Sequence, residues 1–133
     1  MGVLKRLKDY LDDNNVKYVK ITHSPAYTAQ EIAASIHIPG KELAKTVILK
    51  ANEGFLMAVL PASRKINFDL LKEVVGDEGV KLASEDELKD IFQDCEVGAM
   101  PPFGNLYNLP VYVATALSED REIAFNAAVP TPM

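Results

Sequence analysis

The sequence predicts an α+β fold, and three observations carry that expectation. Residues 43–50, "LAKTVILK", and 55–60, "FLMAVL", are two apolar runs joined by "ANEG", which reads as a hairpin with a glycine-containing loop. Helical periodicity and capping signals recur on both sides of that hairpin. Strands and helices then mix without regular βα alternation, which disfavours a doubly wound sheet.

The elements follow in order. Val3, Leu4, Leu7, Tyr10 and Leu11 recur at helical spacing, so residues 2–13 form an amphipathic helix that Asn14 and Asn15 end. "VKYVKI", 16–21, reads as a short strand. Thr28 and Glu31 have capping-box spacing and open a helix to about Ile36, before the turn "HIPG" at 37–40. After the central hairpin, Asn67 caps a helix through Val75 that Gly76 terminates. "VKL", 80–82, is a short strand, and Ser84 with Glu87 forms a second capping box for a helix to about Phe92. "VYVAT" at 111–115 and "EIAF" at 122–125 are strands, while the prolines of "NAAVPTPM" argue against a regular element beyond them.

The chain has 133 residues, the length of one domain, and 48% apolar residues supply a core without disulfides or metals. Its single cysteine, Cys95, has no internal partner, which fits a reducing compartment. No apolar run approaches the ~20 residues of a membrane span, and "MGVLKRLKDYLDD" lacks the apolar core of a signal peptide. A cytoplasmic protein without membrane partners is expected. A net charge of −5 argues against broad nucleic-acid binding and against DNA, but leaves room for a small footprint on one end of a nucleic acid. Cations are dense in "KRLK", 5–8, and "SRK", 63–65, where solvated surface charge is the favoured reading.

His23 and His37 have no cysteine at metal spacing, so no zinc site is expected, and no motif calls for a cofactor. Neither a G-x-S-x-G elbow nor a nucleotide P-loop occurs. Cys95 reads as a buried thiol beside Val97 rather than a nucleophile. Glu31 reads as a helix cap rather than a catalytic acid. His23, before Ser24 and Pro25, is either a turn residue or a polar group lining a pocket.

Lys45 stands out. Strand alternation puts it on one face with Leu43, Val47 and Leu49, opposite Ala44, Thr46, Ile48 and Lys50. A lysine among apolar neighbours either snorkels out at the strand entrance or is a fixed cation for an anion. The second reading is preferred. Residues 98–104, "GAMPPFG", place two prolines between glycines, which suits neither a helix nor a central strand. Such a loop either closes a turn or aims several backbone N–H groups at one oxyanion. With Lys45 nearby it would make a compact anion site.

Three stretches together resemble the YbaK and prolyl-tRNA-synthetase-associated family of aminoacyl-tRNA editing domains. They are "THSPAYTAQEIAAS" at 22–35, "ELAKTVILK" at 42–50 with the family's A-K-[ST] strand, and "GAMPPFG", which is similar to G-x-x-[SP]-P-[FL]-G. Their order and spacing agree, and the resemblance covers nearly all of residues 1–126. It implies a mixed, barrel-like sheet with flanking helices. It also implies a trans-editing deacylase for tRNA mischarged with a small amino acid of the alanine, cysteine or serine kind, Pro-tRNA included. The partners implied are the acceptor end of that tRNA and an aminoacyl-tRNA synthetase. The alternative is a module that binds a synthetase or tRNA end without hydrolysis.

On the resemblance, Lys45 and Gly98 take the catalytic positions, with Lys45 holding the terminal adenosine's phosphate or the ester end. Met100, Pro101, Pro102, Phe103 and Gly104 line the substrate site, as do His23 and Asn126. The chemistry is consistent with this. Small amino acids differ too little in binding energy for one site to separate them, so a second hydrolytic pocket is useful. The ester is already activated, so positioning and aimed donors suffice without a strong nucleophile. Relatives continue as F-N-A-G-x-H-T, whereas Ala128 and Pro130 stand at the glycine and histidine positions here. The expectation is therefore a single editing domain over 1–133 that lacks the family's usual closing strand and helix.

Overall fold

In the computed structural model, residues 5–18, 42–52, 54–93, 100–119 and 122–125 are described. Helix α1, Lys5–Asp13, buries Leu7 and Leu11 one turn apart. Its solvent side carries the Lys5–Asp9 and Lys8–Asp12 pairs at 3.3 and 3.6 Å, each adding at most a few tenths of a kcal/mol. Asn14 and Asn15 end it as expected. Asn15 takes the left-handed conformation at φ 57°, and the Asn14 side-chain amide donates to the Tyr10 carbonyl at 2.8 Å. Residues 16–18 are exposed and outside any strand, so the first part of the expected strand at 16–21 does not form. The rest of that strand and the expected helix after Thr28 lie outside the described residues.

Strands β1, Ala44–Ala51, and β2, Gly54–Pro61, pair antiparallel from Ala44 opposite Pro61 to Ala51 opposite Gly54. Gly54 adopts φ 131° at the turn, a conformation that side chains disfavour. The turn is clamped from outside. The Asp77 carboxylate accepts from the backbone N–H of Asn52 at 2.8 Å and of Gly79 at 2.7 Å. These two bonds hold its carboxyl below the usual aspartate value.

Helix α2, Phe68–Val75, starts at Asn67, whose side chain accepts from Leu70 N–H, and stops at Gly76 with φ 78°. Strand β3, Lys81–Leu82, pairs antiparallel with β1. Helix α3, Glu85–Ile91, opens on a complete capping box between Ser84 and Glu87. Strand β4, Val111–Val113, pairs parallel with β2, giving the order β3-β1-β2-β4. The α+β class is therefore observed, with a mixed four-stranded sheet. Among the described residues the sheet is open rather than closed into a barrel, with β3 and β4 at its edges.

Two expected strands come out shorter. The run 111–115 ends at Val113, and Thr115–Ser118 turns into a short helix, α4, because Leu117 is buried in the core at 3% exposure. The stretch 122–125 reduces to one parallel bridge, Leu43 to Ala124, with Ala44 N–H donating to Ala124 O at 2.7 Å.

The hairpin is covered on both faces, which is why its strands are rich in apolar residues on both sides, broken in β1 by Lys45, Thr46 and Lys50. On one face Ala44, Ile48, Met57 and Val59 pack with Leu7, Leu11, Phe92, Met100 and Leu117. On the other, Leu49, Leu56, Ala58 and Val80 pack under Leu71 and Val75 of α2.

Glu87 links α3 to the sheet. Its carboxylate meets Lys50 Nζ at 2.8 Å and accepts from Ser84 N–H at 2.9 Å. The Lys50 ammonium, then the Ser84 amide, pull its pKa from 4.5 to about 2. A depressed carboxylate stabilises the fold fully above its unfolded pKa and loses that contribution as pH falls through the folded value. Glu87→Gln should therefore be less stable than wild type at pH 7, with the gap closing between pH 4.5 and about 2. Urea midpoints at pH 7 and pH 3 check this; a gap that is constant with pH would remove the assignment.

Candidate functional site

Lys45 lies one residue inside β1, opposite Leu60. Its backbone is fixed on both sides, because Ala62 N–H donates to Leu43 O at 2.8 Å while Ala124 bridges the other flank. The side chain is half-buried. Burial, and then the Lys65 cation, lower its pKa below the usual lysine value. Among the described residues no carboxylate pairs with it. A cation that is partly desolvated, fixed on a strand and lacking a counter-ion is suited to receive an anion.

The proline loop is held by its side chains. Met100 is 7% exposed, Pro101 is fully buried, and Phe103 sets its ring edge-on to Tyr10 of α1 and to Phe125 at centroid distances of 5.7 and 5.2 Å. Gly104–Tyr107 then form a 3-10 turn, closed when Leu109 N–H donates to Gly104 O at 2.9 Å. A Cβ on Gly104 would stand 2.6 Å from Val111 Cγ2 and 3.0 Å from Leu109 O. The glycine is thus required by close packing against the approach to β4. Arg6 on α1 donates to Leu106 O at 3.0 Å and lies over the Tyr107 ring, adding a polar tie.

Lys45 and the described part of the loop do not meet through side chains of one cluster. Met100 and Phe103 pack with Ala44 and Ile48, and strand alternation points Lys45 to the opposite face. The link between them is indirect, from the Phe103 ring to the Phe125 ring and then through the backbone bridge between Ala124 and Leu43. Pro102 remains half-exposed at the loop's centre. His23, Gly98 and Asn126, like Glu31 and Cys95, lie outside the described residues.

One residue near Lys45, within the run 63–65, was read in the sequence only as solvated surface charge. Lys65 lies four residues past the end of β2, and its charge acts on Lys45. The signal was available, since in a hairpin the residues just past the second strand flank the start of the first.

The model of the aminoacyl-tRNA editing domain family matches residues 23–132. The chain belongs to that family. Within it, the editing domain is similar to segments of two bacterial proline–tRNA ligases. In Thermosipho africanus it is 29% identical over 94 residues, covering 70% of this chain and 17% of the ligase. In Bacillus cytotoxicus it is 31% identical over 100 residues, covering 75% of this chain and 15% of the ligase. The chain thus spans about a sixth of the length of the curated relatives it matches. The fold of the editing domain matches a crystal structure of a hypothetical protein, with TM-score 0.82, 23% identity, and coverage of 92% of this chain and 82% of that one. It also matches a structure described as a candidate trans-editing enzyme for prolyl tRNA synthetase, with TM-score 0.77, 19% identity, and coverage of 95% and 80%. Among the described residues no helix of the editing domain is long and apolar enough to cross a membrane.

Proposed function

We propose that this editing domain hydrolyses the ester of tRNA mischarged with a small amino acid, acting in trans on an acceptor end that a synthetase has released. The observation that carries this reading is Lys45, a half-buried cation without a carboxylate partner among the described residues, fixed on a strand whose surroundings match the family. The similarity to proline–tRNA ligases favours tRNA charged in error by that class of enzyme, with alanine, cysteine and serine as the amino acids to test. A synthetase is then the partner that supplies the rest of the tRNA grip, consistent with a net charge of −5.

In this reading Lys45 holds the phosphate or ester end of the terminal adenosine. The proline loop, through Gly98 and the backbone near Pro102 and Gly104, shapes the space around the aminoacyl group. His23 and Asn126 complete the expected lining. A water, oriented by the neighbouring ribose hydroxyl, attacks the ester carbonyl, the carbonyl–oxygen bond to the ribose breaks, and the proton lost by the water passes to the departing ribose oxygen, leaving the free amino acid and the sugar hydroxyl. The test is a panel of Ala-, Cys-, Ser- and Pro-charged tRNAs. At least one should be deacylated about 100-fold or more above buffer, the scale of aimed electrostatic stabilisation. Binding of tRNA without hydrolysis of any ester would replace this reading with the accessory-module one.

A further inference from the structure

We propose that Lys65, with Arg64, forms a second phosphate contact beside Lys45, so that this end of the sheet grips the backbone of a single-stranded RNA end at two points. The proposal rests on the reading of the domain as one that takes a tRNA acceptor end.

The hairpin register places the contact. Pro61 is the last residue of β2 and pairs with Ala44, next to Lys45. Ala62 N–H extends the ladder to Leu43 O, and Arg64 N–H donates back to Pro61 O at 3.0 Å, closing a turn at 61–64. That turn sets the exposed run Ser63, Arg64 and Lys65 at the end of the sheet where Lys45 sits. Both segments are therefore held by backbone hydrogen bonds, and their relation does not depend on side-chain conformation.

The charges at this end, like Lys17, Lys72 and Lys81 elsewhere, have no ion pair among the described residues, but here the cations are set close together. Lys5, Lys8, Lys50 and Lys89 each have a carboxylate within 3.9 Å. Among the described residues no ion pair involves Lys45, Arg64 or Lys65. The Lys65 cation is felt at Lys45, where it adds to the burial that already disfavours the charged form. In an acidic protein, like charges set together with no ion pair among the described residues make a site whose repulsion a polyanion relieves. Arginine and lysine side by side also suit phosphodiester oxygens, one as a planar fork and the other as a point charge.

The experiment is fluorescence anisotropy with a short labelled RNA ending in CCA, across a KCl series, with deacylation measured in parallel. Thermal melts establish that each variant is folded. At about 0.1 M salt Lys65→Ala should weaken RNA binding about fivefold, the upper size of one exposed charge contact. It should also reduce the slope of log affinity against log salt by about 0.7. Lys65→Glu should weaken binding further, Lys65→Arg should restore it, and Lys89→Ala should match wild type. In deacylation, Lys65→Ala should raise KM with kcat retained. Wild-type affinity and salt slope in both Lys65→Ala and Lys65→Glu would overturn the proposal, as would the absence of RNA binding by wild type. Competition by inorganic phosphate as strong as by the RNA would also overturn it, leaving a single-anion site. Lys65-dependent RNA binding without hydrolysis of any ester would sink the deacylase reading while this contact stands. Hydrolysis with wild-type KM in Lys65→Ala would do the reverse.

Discussion

Lys45→Ala is expected to lower deacylation of a mischarged tRNA by about 100- to 1,000-fold, the loss typical when one fixed electrostatic contact to the reacting group is removed. The expectation follows from the position of the lysine. Its backbone is bonded on one side through Leu43 to Ala62 and on the other through Ala44 to Ala124, so the ammonium starts from a rigid platform. The fold should survive the change. Lys45 is half-buried and has no carboxylate partner among the described residues, so alanine removes a partly desolvated charge without orphaning another. The melting temperature should stay level or rise. Lys45→Arg retains the charge but presents a broader planar head, and should recover only part of the activity. Near-normal turnover in Lys45→Ala would remove this residue from the mechanism.

The second large effect is on stability. Gly104→Ala should cost about 1–3 kcal/mol, the range for inserting a methyl group into a packed interior, or roughly 4 °C in Tm per kcal/mol. The new Cβ would fall 2.6 Å from Val111 Cγ2, which can move, and 3.0 Å from the Leu109 carbonyl, which is backbone in a closed turn. Val111→Ala in the same chain should recover part of the loss, because it withdraws the nearest atom. Thermal melts of the two single variants and the double variant measure the coupling. An unchanged Tm in Gly104→Ala would show that the turn relaxes freely. The sequence offered two reasons for this glycine, a closed turn or access of backbone to a substrate. The geometry supplies the first on its own.

What could be read from the sequence was local. The boundaries of α1, α2 and α3 came from residues whose side chains or backbone act within one turn, namely Asn15, Asn67, Gly76 and the Ser84–Glu87 box. The hairpin came from two apolar runs and a glycine, and its pairing follows once the turn is placed. What escaped depends on contacts distant in sequence. Leu117 turns 115–118 into a helix because the core has room for it, although the preceding valines favour a strand. The stretch 122–125 makes a single bridge with the entrance to β1, which β propensity alone does not reveal. At the candidate site, Lys45 was legible because a charge inside an apolar run is conspicuous. The anchoring of Phe103 between Tyr10 and Phe125 was not, since those three residues are brought together only by the fold. Lys65 was passed over because a charged residue after a strand looks like ordinary solvated surface until the register puts it beside Lys45.

The order β3-β1-β2-β4 has a bearing on how the chain behaves among its own copies. The two long strands, eight residues each and rich in apolar residues, are the sequences most prone to pair with another molecule. Both lie inside the sheet, paired with each other along their whole length and with an outer strand over two or three residues. The strands outside them are two and three residues long, and one begins with the exposed, charged Lys81. The outer strands themselves offer only a short run of open backbone groups, one of them next to a lysine, an arrangement by which natural sheets discourage cross-chain strand addition. The apolar centre that makes this domain foldable without disulfides is the same one that its short outer strands keep from becoming a template for aggregation.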